Sequence, residues 1–276
     1  MGPGQGAPLG SWKNVARPPR ARGRRLTQCL LPGSGVGYSL LMPQRERVAL
    51  VTGAGVRVGL AIARDLLHHG FRVAAHYRRH PPPRPMVPLR ADLALPSGAD
   101  ALASAFLQRF DRLDLLVCSA AAFEARRLED TDADAFDAQM DVNARAPLLL
   151  TRALAPMLRR SKGSVVNIVD VGGGLVPWTG YAAYAASKAA LARLTECLAL
   201  ELAPAVRVNA VAPGTVLWPE DYAAGRRREL TRRIPLRKTG TPADVAEAVR
   251  YLAGATFVTG AVLPLDGGRS LNGRVG

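Results

Sequence analysis

Tyr184 and Lys188 stand four positions apart in the segment Tyr-Ala-Ala-Ser-Lys, at the start of a predicted helix. This spacing puts the phenol and the ammonium one turn apart on one helix face. A free phenol has a pKa of about 10 and is a weak acid at neutral pH. A neighbouring ammonium stabilises the phenolate and lowers that pKa, so the pair predicts a proton donor. The same spacing is common on solvent-exposed helices, so other features of the sequence must decide whether the pair is catalytic.

A glycine-bearing turn, Thr52–Gly59, lies near the start of the more apolar part of the chain. It separates a short apolar run, Val48–Val51, from a stretch with leucines and alanines at helical spacing up to Gly70. Backbone N–H groups and the helix dipole at such a junction favour a diphosphate. Glycines also occur where tight packing needs small residues. The turn by itself therefore indicates a dinucleotide site only weakly.

The segment after the second predicted strand is basic. Phe71–Ala75 is followed by His-Tyr-Arg-Arg-His, with no acidic residue. An acid at this position would bind the ribose hydroxyls of NAD(H), whereas a base accommodates the 2′-phosphate of NADP(H). The positive charge of this segment favours NADP(H) over NAD(H) as the cofactor. The alternative is that the segment is simply a solvated basic loop. Asp92, after the third strand, either accepts hydrogen bonds from the adenine amino group or caps the next turn.

Seven short apolar segments, mostly separated by helical stretches, must position these residues. The predicted strands are Val48–Val51, Phe71–Ala75, Val87–Leu89, Leu113–Cys118, Ser164–Val169, Val206–Val211 and Ala261–Leu265. The later predicted helices are Ser97–Phe110, Asp132–Arg160, Tyr181–Ala203 and Pro242–Leu252, with Ser97 and Thr241 as N-caps. The alternation predicts an α/β fold, a Rossmann-like doubly wound parallel sheet, as a single domain over residues 47–276. Ligands then bind beyond the carboxyl ends of the strands.

With these motifs in this order, residues 47–270 resemble the short-chain dehydrogenase/reductase family. The matching segments are Thr52–Gly59, Asp92, Asp141-Val142-Asn143, Tyr184–Lys188, Arg207-Val208-Asn209, Pro213-Gly214 and Gly260–Gly268. The resemblance implies that Tyr184 is the general acid, that Lys188 binds the nicotinamide ribose and tunes Tyr184, and that Asn143 holds a proton-relay water. It implies a homotetramer, and a cofactor, NADPH, bound by Gly53, Arg57, Val58, Gly59, His76, Tyr77, Arg78, Arg79, His80, Asp92, Leu93, Ala120, Tyr184, Lys188, Pro213, Gly214 and Thr215.

Three departures from the common family pattern resemble its pteridine reductase branch. Arg57 replaces the middle glycine of the turn, Phe123 follows the fourth strand, and Asp170 replaces the catalytic serine. The resemblance implies reduction of a dihydropterin or dihydrofolate. That reaction adds hydride to a ring carbon and a proton to nitrogen, for which an Asp170–Tyr184 path is suited. Phe123 would stack on the pterin, and Arg57 would meet the cofactor phosphates and the polar pterin edge.

A longer segment after Pro213-Gly214 corresponds to the mobile substrate lid of that family, so we expect Leu217 and Trp218 to close the pocket. The nearby Arg226–Arg228 cluster is either a solvated helix face or a docking site for an anionic tail. Two other functions stay open at this stage. One is a broad NADPH-dependent carbonyl or 3-oxoacyl reductase, and the other is an inactive family member that acts as a binding protein.

The amino-acid composition of the chain limits the kinds of binding partner that it can have. The 276 residues carry 37 Lys+Arg against 22 Asp+Glu, a net charge of +15, and seven of the basic residues fall within residues 1–46. That Gly-, Pro- and Arg-rich segment predicts a disordered basic extension, with an organelle transit peptide as the alternative. The three cysteines and four histidines show no metal-ligand spacing, and no apolar run reaches membrane-spanning length. We expect a soluble, cytoplasmic protein with no metal, nucleic-acid or membrane partner.

Overall fold

A single sheet of seven parallel strands forms the centre of the protein. The computed structural model describes residues 46–174, 176–218 and 222–272, and the predicted N-terminal extension lies outside them. The strands are β1 Arg47–Val51, β2 Phe71–Tyr77, β3 Val87–Arg90, β4 Leu115–Cys118, β5 Ser164–Ile168, β6 Arg207–Pro213 and β7 Val262–Leu265. Their order is β3-β2-β1-β4-β5-β6-β7, so the chain reverses direction across the sheet between β1 and β4. Doubly wound sheets bind ligands at this switch point.

Helices cover both faces of the sheet. They are α1 Arg57–His68, α2 Gly98–Leu107, α3 Ala133–Met140, α4 Ala146–Ser161, α5 Val171–Gly174, α6 Ala182–Leu202, α7 Ala224–Arg232, α8 Pro242–Gly254 and α9 Arg269–Asn272. On β1, Leu50 packs with the apolar side chains of α2, α4 and α6, whereas Val51 packs with those of α1 and α8. Because both faces are buried, the strands are continuous apolar runs, which is why the sequence located them well.

The structure refines one predicted helix and corrects one predicted cap. The stretch Asp132–Arg160 is helical from Ala133 onwards as predicted, but a π-helical segment, Asp141–Arg145, lies between α3 and α4. The Ser97 hydroxyl makes no capping hydrogen bond, because its backbone already has helical φ and ψ. Thr241 does cap α8, in a capping box with Asp244. Gly70 has a φ of +79° just after α1, which suits the predicted glycine stop.

None of the helices in the described part of the chain combines the length and apolar character needed to cross a membrane.

Candidate active site

A cleft of about 960 Å³ opens at the carboxyl ends of the strands, across the switch point. Of the residues predicted for the site, Asn143 alone is absent from the lining. The predicted residues that line the cleft are Gly53, Arg57, Val58, Gly59, His76, Tyr77, Arg78, Arg79, His80, Asp92, Leu93, Ala120, Phe123, Asp170, Tyr184, Lys188, Pro213, Gly214, Thr215, Leu217 and Trp218. The fold therefore brings residues from distant parts of the sequence to one place.

The glycine turn fits tightly against its neighbours. Gly53 has a φ of +68°, and a Cβ there would lie 2.9 Å from the Cα of Ala120. A Cβ on Gly55 would clash with the carbonyl oxygen of His80, and one on Gly59 would clash with the carbonyl oxygen of Gly53. The glycines are thus required for close backbone approach on two sides. The turn therefore lines the cleft without side chains at these three positions, as the close approach of a diphosphate to the backbone would require.

The His76 side chain is hydrogen-bonded to the glycine turn. Its ring is buried, Nδ1 accepts a hydrogen bond from the Gly53 N–H at 3.1 Å, and Nε2 lies 3.2 Å from the carbonyl oxygen of Ala91. These partners require a neutral ring with the hydrogen on Nε2. Burial also lowers the pKa of His76. The sequence interpretation grouped His76 with the basic residues around the phosphates, but its ring nitrogens are occupied by backbone, so it positions the turn instead.

The charged residues at this end of the cleft are Arg57, Arg78, Arg79 and Asp92. Arg78 Nη1 lies 3.8 Å from Asp92 Oδ1, and that same oxygen accepts a hydrogen bond from the Ala94 N–H at 3.1 Å. Asp92 therefore does cap the following turn. Arg57 has a φ of +52°, a left-handed conformation that is uncommon for a residue with a side chain. With one acid among three arginines, this end of the cleft is electropositive.

Asp170 faces Tyr184 across the centre of the cleft. The Tyr184 hydroxyl donates to Asp170 Oδ2 at 3.1 Å, and the Gly172 N–H donates to Asp170 Oδ1 at 2.6 Å. Burial raises the pKa of Asp170 above its ordinary value. Burial and the neighbouring Asp170 carboxylate raise the pKa of Tyr184 well above 10. The pair therefore favours a protonated phenol.

Lys188 is buried one helical turn from Tyr184, as the spacing predicts. Its Nζ donates to the carbonyl oxygen of Ile168 at 2.8 Å and lies 5.9 Å from the centroid of the Tyr184 ring. Burial lowers the pKa of Lys188 to about 8, although Asp170 and Cys118 act in the opposite direction. The expectation that Lys188 lowers the phenol pKa is wrong for this arrangement, because burial and Asp170 dominate at the hydroxyl.

Asn143 lies in the π-helical segment and is fully buried. Its Nδ2 donates to the carbonyl oxygen of Ala122 and to Ser187 Oγ, both at 2.9 Å, while Oδ1 accepts from the Ala122 N–H at 2.8 Å. Both amide hydrogens are used, so this amide group has none left for a relay water. The Asn143 side chain instead ties the segment after β4 to α6.

Aromatic rings form the wall beside Tyr184. Phe123, half exposed, stacks on Tyr181 with 5.0 Å between ring centroids and meets the Tyr184 ring edge-on at 4.8 Å. Trp178 meets Tyr181 edge-on at 5.7 Å. A Cβ on Gly172 would lie 2.5 Å from the Trp178 ring, so this glycine makes room for the indole. The wall provides flat apolar surface for a planar ring.

Several cleft residues were missed by sequence reasoning: Trp178, Tyr181, Tyr222, Leu230 and Arg269. Tyr181 precedes Tyr184 by three positions, and that helical spacing could have indicated it. Tyr222 and Leu230 flank Arg226 at intervals of four, a second usable signal. Arg269 follows the Asp-Gly-Gly ending, and nothing in the local sequence places it near the site.

Comparisons with known proteins agree with this geometry. A family model described as enoyl-(acyl carrier protein) reductase matches residues 53–270. The 2-(R)-hydroxypropyl-CoM dehydrogenase of Xanthobacter autotrophicus is 38% identical, over 80% of this chain and 98% of that protein. Dihydromonapterin reductase of Shigella boydii is 33% identical, over 80% of this chain and 96% of that protein. A putative ketoacyl reductase 2 of granaticin polyketide synthase from Streptomyces violaceoruber is 35% identical, over 81% of this chain and 96% of that protein.

A similar solved structure is that of an apo SCOR enzyme from Clostridium thermocellum. It superposes with a TM-score of 0.75 and 28% sequence identity, over 83% of this chain and 94% of that one. The arrangement of the sheet and helices is therefore shared with a known enzyme.

Proposed function

The chain belongs to the short-chain dehydrogenase/reductase family of oxidoreductases, and from that membership we propose that it is an NADPH-dependent reductase of a dihydropterin or dihydrofolate. The observation that carries the proposal is the hydrogen bond between Tyr184 and Asp170 beside the exposed ring of Phe123. The similarity to dihydromonapterin reductase supports the same substrate class.

The residues of the cleft fit a nicotinamide dinucleotide phosphate. The cradle of Gly53, Gly55 and Gly59 would hold the diphosphate, and Arg57, Arg78 and Arg79 would lie around the 2′-phosphate. When bound, the cofactor supplies the hydride. Lys188, with its ammonium fixed by the Ile168 carbonyl, would face the nicotinamide ribose.

Tyr184 and Asp170 would supply the proton that the substrate ring nitrogen gains on reduction. The buried carboxyl of Asp170 has a raised pKa, and the phenol that it faces is held protonated. A ring nitrogen that gains negative charge as the adjacent carbon is reduced needs a proton donor at this point. Tyr184 would deliver the proton to the ring nitrogen, a protonated Asp170 would return one to the phenolate through the 3.1 Å hydrogen bond, and the carboxylate left behind would regain its proton from solvent. Phe123 would keep the planar ring in place by stacking.

Arginine substitutions test the cofactor preference. We expect the double variant R78A/R79A to lose far more affinity for NADPH than for NADH, because the 2′-phosphate is the group that the arginines meet. Arg90 is exposed at the end of β3 and does not line the cleft, so R90A is the matched control. Equal loss for both cofactors in R78A/R79A would contradict the NADPH assignment.

A second candidate function is the reduction of a carbonyl group in a ketone or 3-oxoacyl ester. The similarity to a ketoacyl reductase and to a hydroxyalkyl dehydrogenase favours it. Carbonyl reduction in this family commonly uses a serine where this chain has Asp170. The variant D170S therefore offers a direct comparison of the two chemistries.

The deciding experiment measures NADPH oxidation with dihydrobiopterin, dihydromonapterin, dihydrofolate and a 3-oxoacyl ester side by side. We expect a pterin or folate to give the highest kcat/KM, and D170S to shift the preference towards the ester. A wild-type protein that prefers the ester would overturn the pterin proposal and leave the family membership intact. The implied homotetramer remains a prediction that light scattering of the same sample would test.

A further inference from the structure

Two arginines that the proposed function does not use, Arg226 and Arg269, also line the cleft. Arg226 extends from α7, where Tyr222, Arg226 and Leu230 recur every four residues and all line the cleft. The Arg226 guanidinium stacks over the Tyr222 ring at 4.2 Å. Arg226 and Arg228 are both exposed, but Arg228 does not line the cleft. The arginine cluster of α7 is thus divided, with one member facing the ligand space.

Arg269 approaches the same space from α9. Its guanidinium lies 5.2 Å from the centroid of the Trp178 ring, and Nη1 donates to Thr215 Oγ1 at 2.8 Å. Thr215 and the aromatic ring hold the planar group in a fixed orientation. A guanidinium has five N–H donors, so most of those on Arg269 are left for a ligand. Fixed planar donors of this kind suit a carboxylate or another oxyanion.

The carboxylates that line the described part of the cleft form no direct ion pair with these two cations. Among the described lining residues the acids are Asp92 and Asp170. Asp92 pairs with Arg78. Asp170 is the hydrogen-bond partner of Tyr184, and its pKa is raised by burial although the nearby Arg269 acts to lower it. No carboxylate of the described residues lies within ion-pair distance of Arg226 or Arg269. Each guanidinium therefore lies against an aromatic ring and carries a positive charge that no direct ion pair takes up.

We infer that Arg226 and Arg269 form a docking site for an anionic group on the substrate, outside its reacting ring. The inference rests on the proposed reductase function and narrows it to substrates that carry a carboxylate or a similar oxyanion on a side chain. Among reduced pterins, this chemistry selects the glutamate tail of dihydrofolate over the uncharged side chain of dihydrobiopterin.

The test compares those two substrates, which share the reacting ring. The measured quantity is the ratio of kcat/KM for dihydrofolate to kcat/KM for dihydrobiopterin. We expect R226Q and R269Q each to lower this ratio about tenfold, as the loss of a charge-assisted hydrogen bond implies. R228Q is the control and should leave the ratio unchanged. Because a ratio is used, any general effect of Arg269 on Asp170 cancels. Unchanged ratios in both R226Q and R269Q would overturn the inference.

A binding experiment separates this inference from the proposed function. Tryptophan fluorescence would be titrated with 4-aminobenzoylglutamate, which carries two carboxylates, and with the neutral 4-aminobenzamide. We expect tighter binding of the anionic fragment to the wild type and about tenfold weaker binding of it to R226Q/R269Q. Equal binding of both fragments, or no effect of the variant, would refute the docking site even if pterins are reduced. Failure to reduce any pterin, with the fragment preference intact, would refute the proposed function alone.

Discussion

Lys188 should destabilise the folded protein at neutral pH, and the variant K188M measures by how much. The side chain is 2% exposed, and burial lowers its pKa from 10.5 to about 8. Since one pKa unit corresponds to about 1.4 kcal/mol, a shift of about 2.5 units corresponds to about 3 kcal/mol. This penalty applies in full when both the folded and unfolded states hold the proton, which is the case below about pH 8.

The pH dependence has a definite sign. Between about pH 8 and pH 10.5 the unfolded chain keeps the lysine proton and the folded chain releases it, so rising pH favours the folded state. Relative to K188M, the wild-type free energy of unfolding should increase by about 2–3 kcal/mol from pH 7 to pH 10. The Ile168 carbonyl loses its donor in K188M. That loss is independent of pH and cancels from the comparison.

Urea titrations followed by far-UV circular dichroism at pH 7, 8, 9 and 10 would measure the difference. K162M is the matched control, because Lys162 is exposed just after α4. A difference between wild type and K188M that stays constant from pH 7 to pH 10 would refute the reasoning, since it would mean that burial leaves the lysine proton equally bound in both states.

Three further predictions concern the cleft. G55A puts a Cβ against the His80 carbonyl oxygen, so we expect weaker NADPH binding in a fluorescence titration and about 1–3 kcal/mol less stability to urea; an unchanged Kd would contradict the close fit. R57G removes a side chain from a residue at φ +52°, so stability should hold or rise by about 1 kcal/mol while the KM for NADPH increases. D170N removes a titrating carboxyl, so the alkaline fall of kcat/KM that follows loss of the Asp170 proton in the wild type should disappear; identical pH profiles would argue against its role beside Tyr184.

The strands and the cleft could largely be predicted from the sequence, because each depends on a local pattern. The strand β5 is a run of five buried residues, and its apolar character marks it without knowledge of its neighbours. The ends were less exact: β6 continues to Pro213, two residues beyond the prediction, because pairing with β7 extends it. Doubly wound topology then puts the segments that follow the strands at one edge.

Properties that depend on packing could not be predicted in the same way. The pKa of Tyr184 is set by burial and by Asp170, not by the helical neighbour Lys188 that the spacing suggests. The contact between Asp170 and Tyr184 was expected from the family resemblance, but the fourteen positions between them do not imply it, because the fold of the intervening loop decides whether the two side chains meet. Arg269 reaches the cleft from the C-terminal end of the chain, where no local pattern indicates a ligand.

The π-helical segment at Asp141–Arg145 has a consequence for how the chain can change by insertion or deletion. One extra residue in a turn rotates everything after it by about 100° relative to a continuous α-helix. Here α3, before the segment, packs on α6, and α4, after it, packs on α2. Removing one residue from this segment would therefore turn one of the two apolar faces towards water. We therefore expect a change of length to be poorly tolerated here, where the buried Asn143 lies within the segment that changes the helical phase.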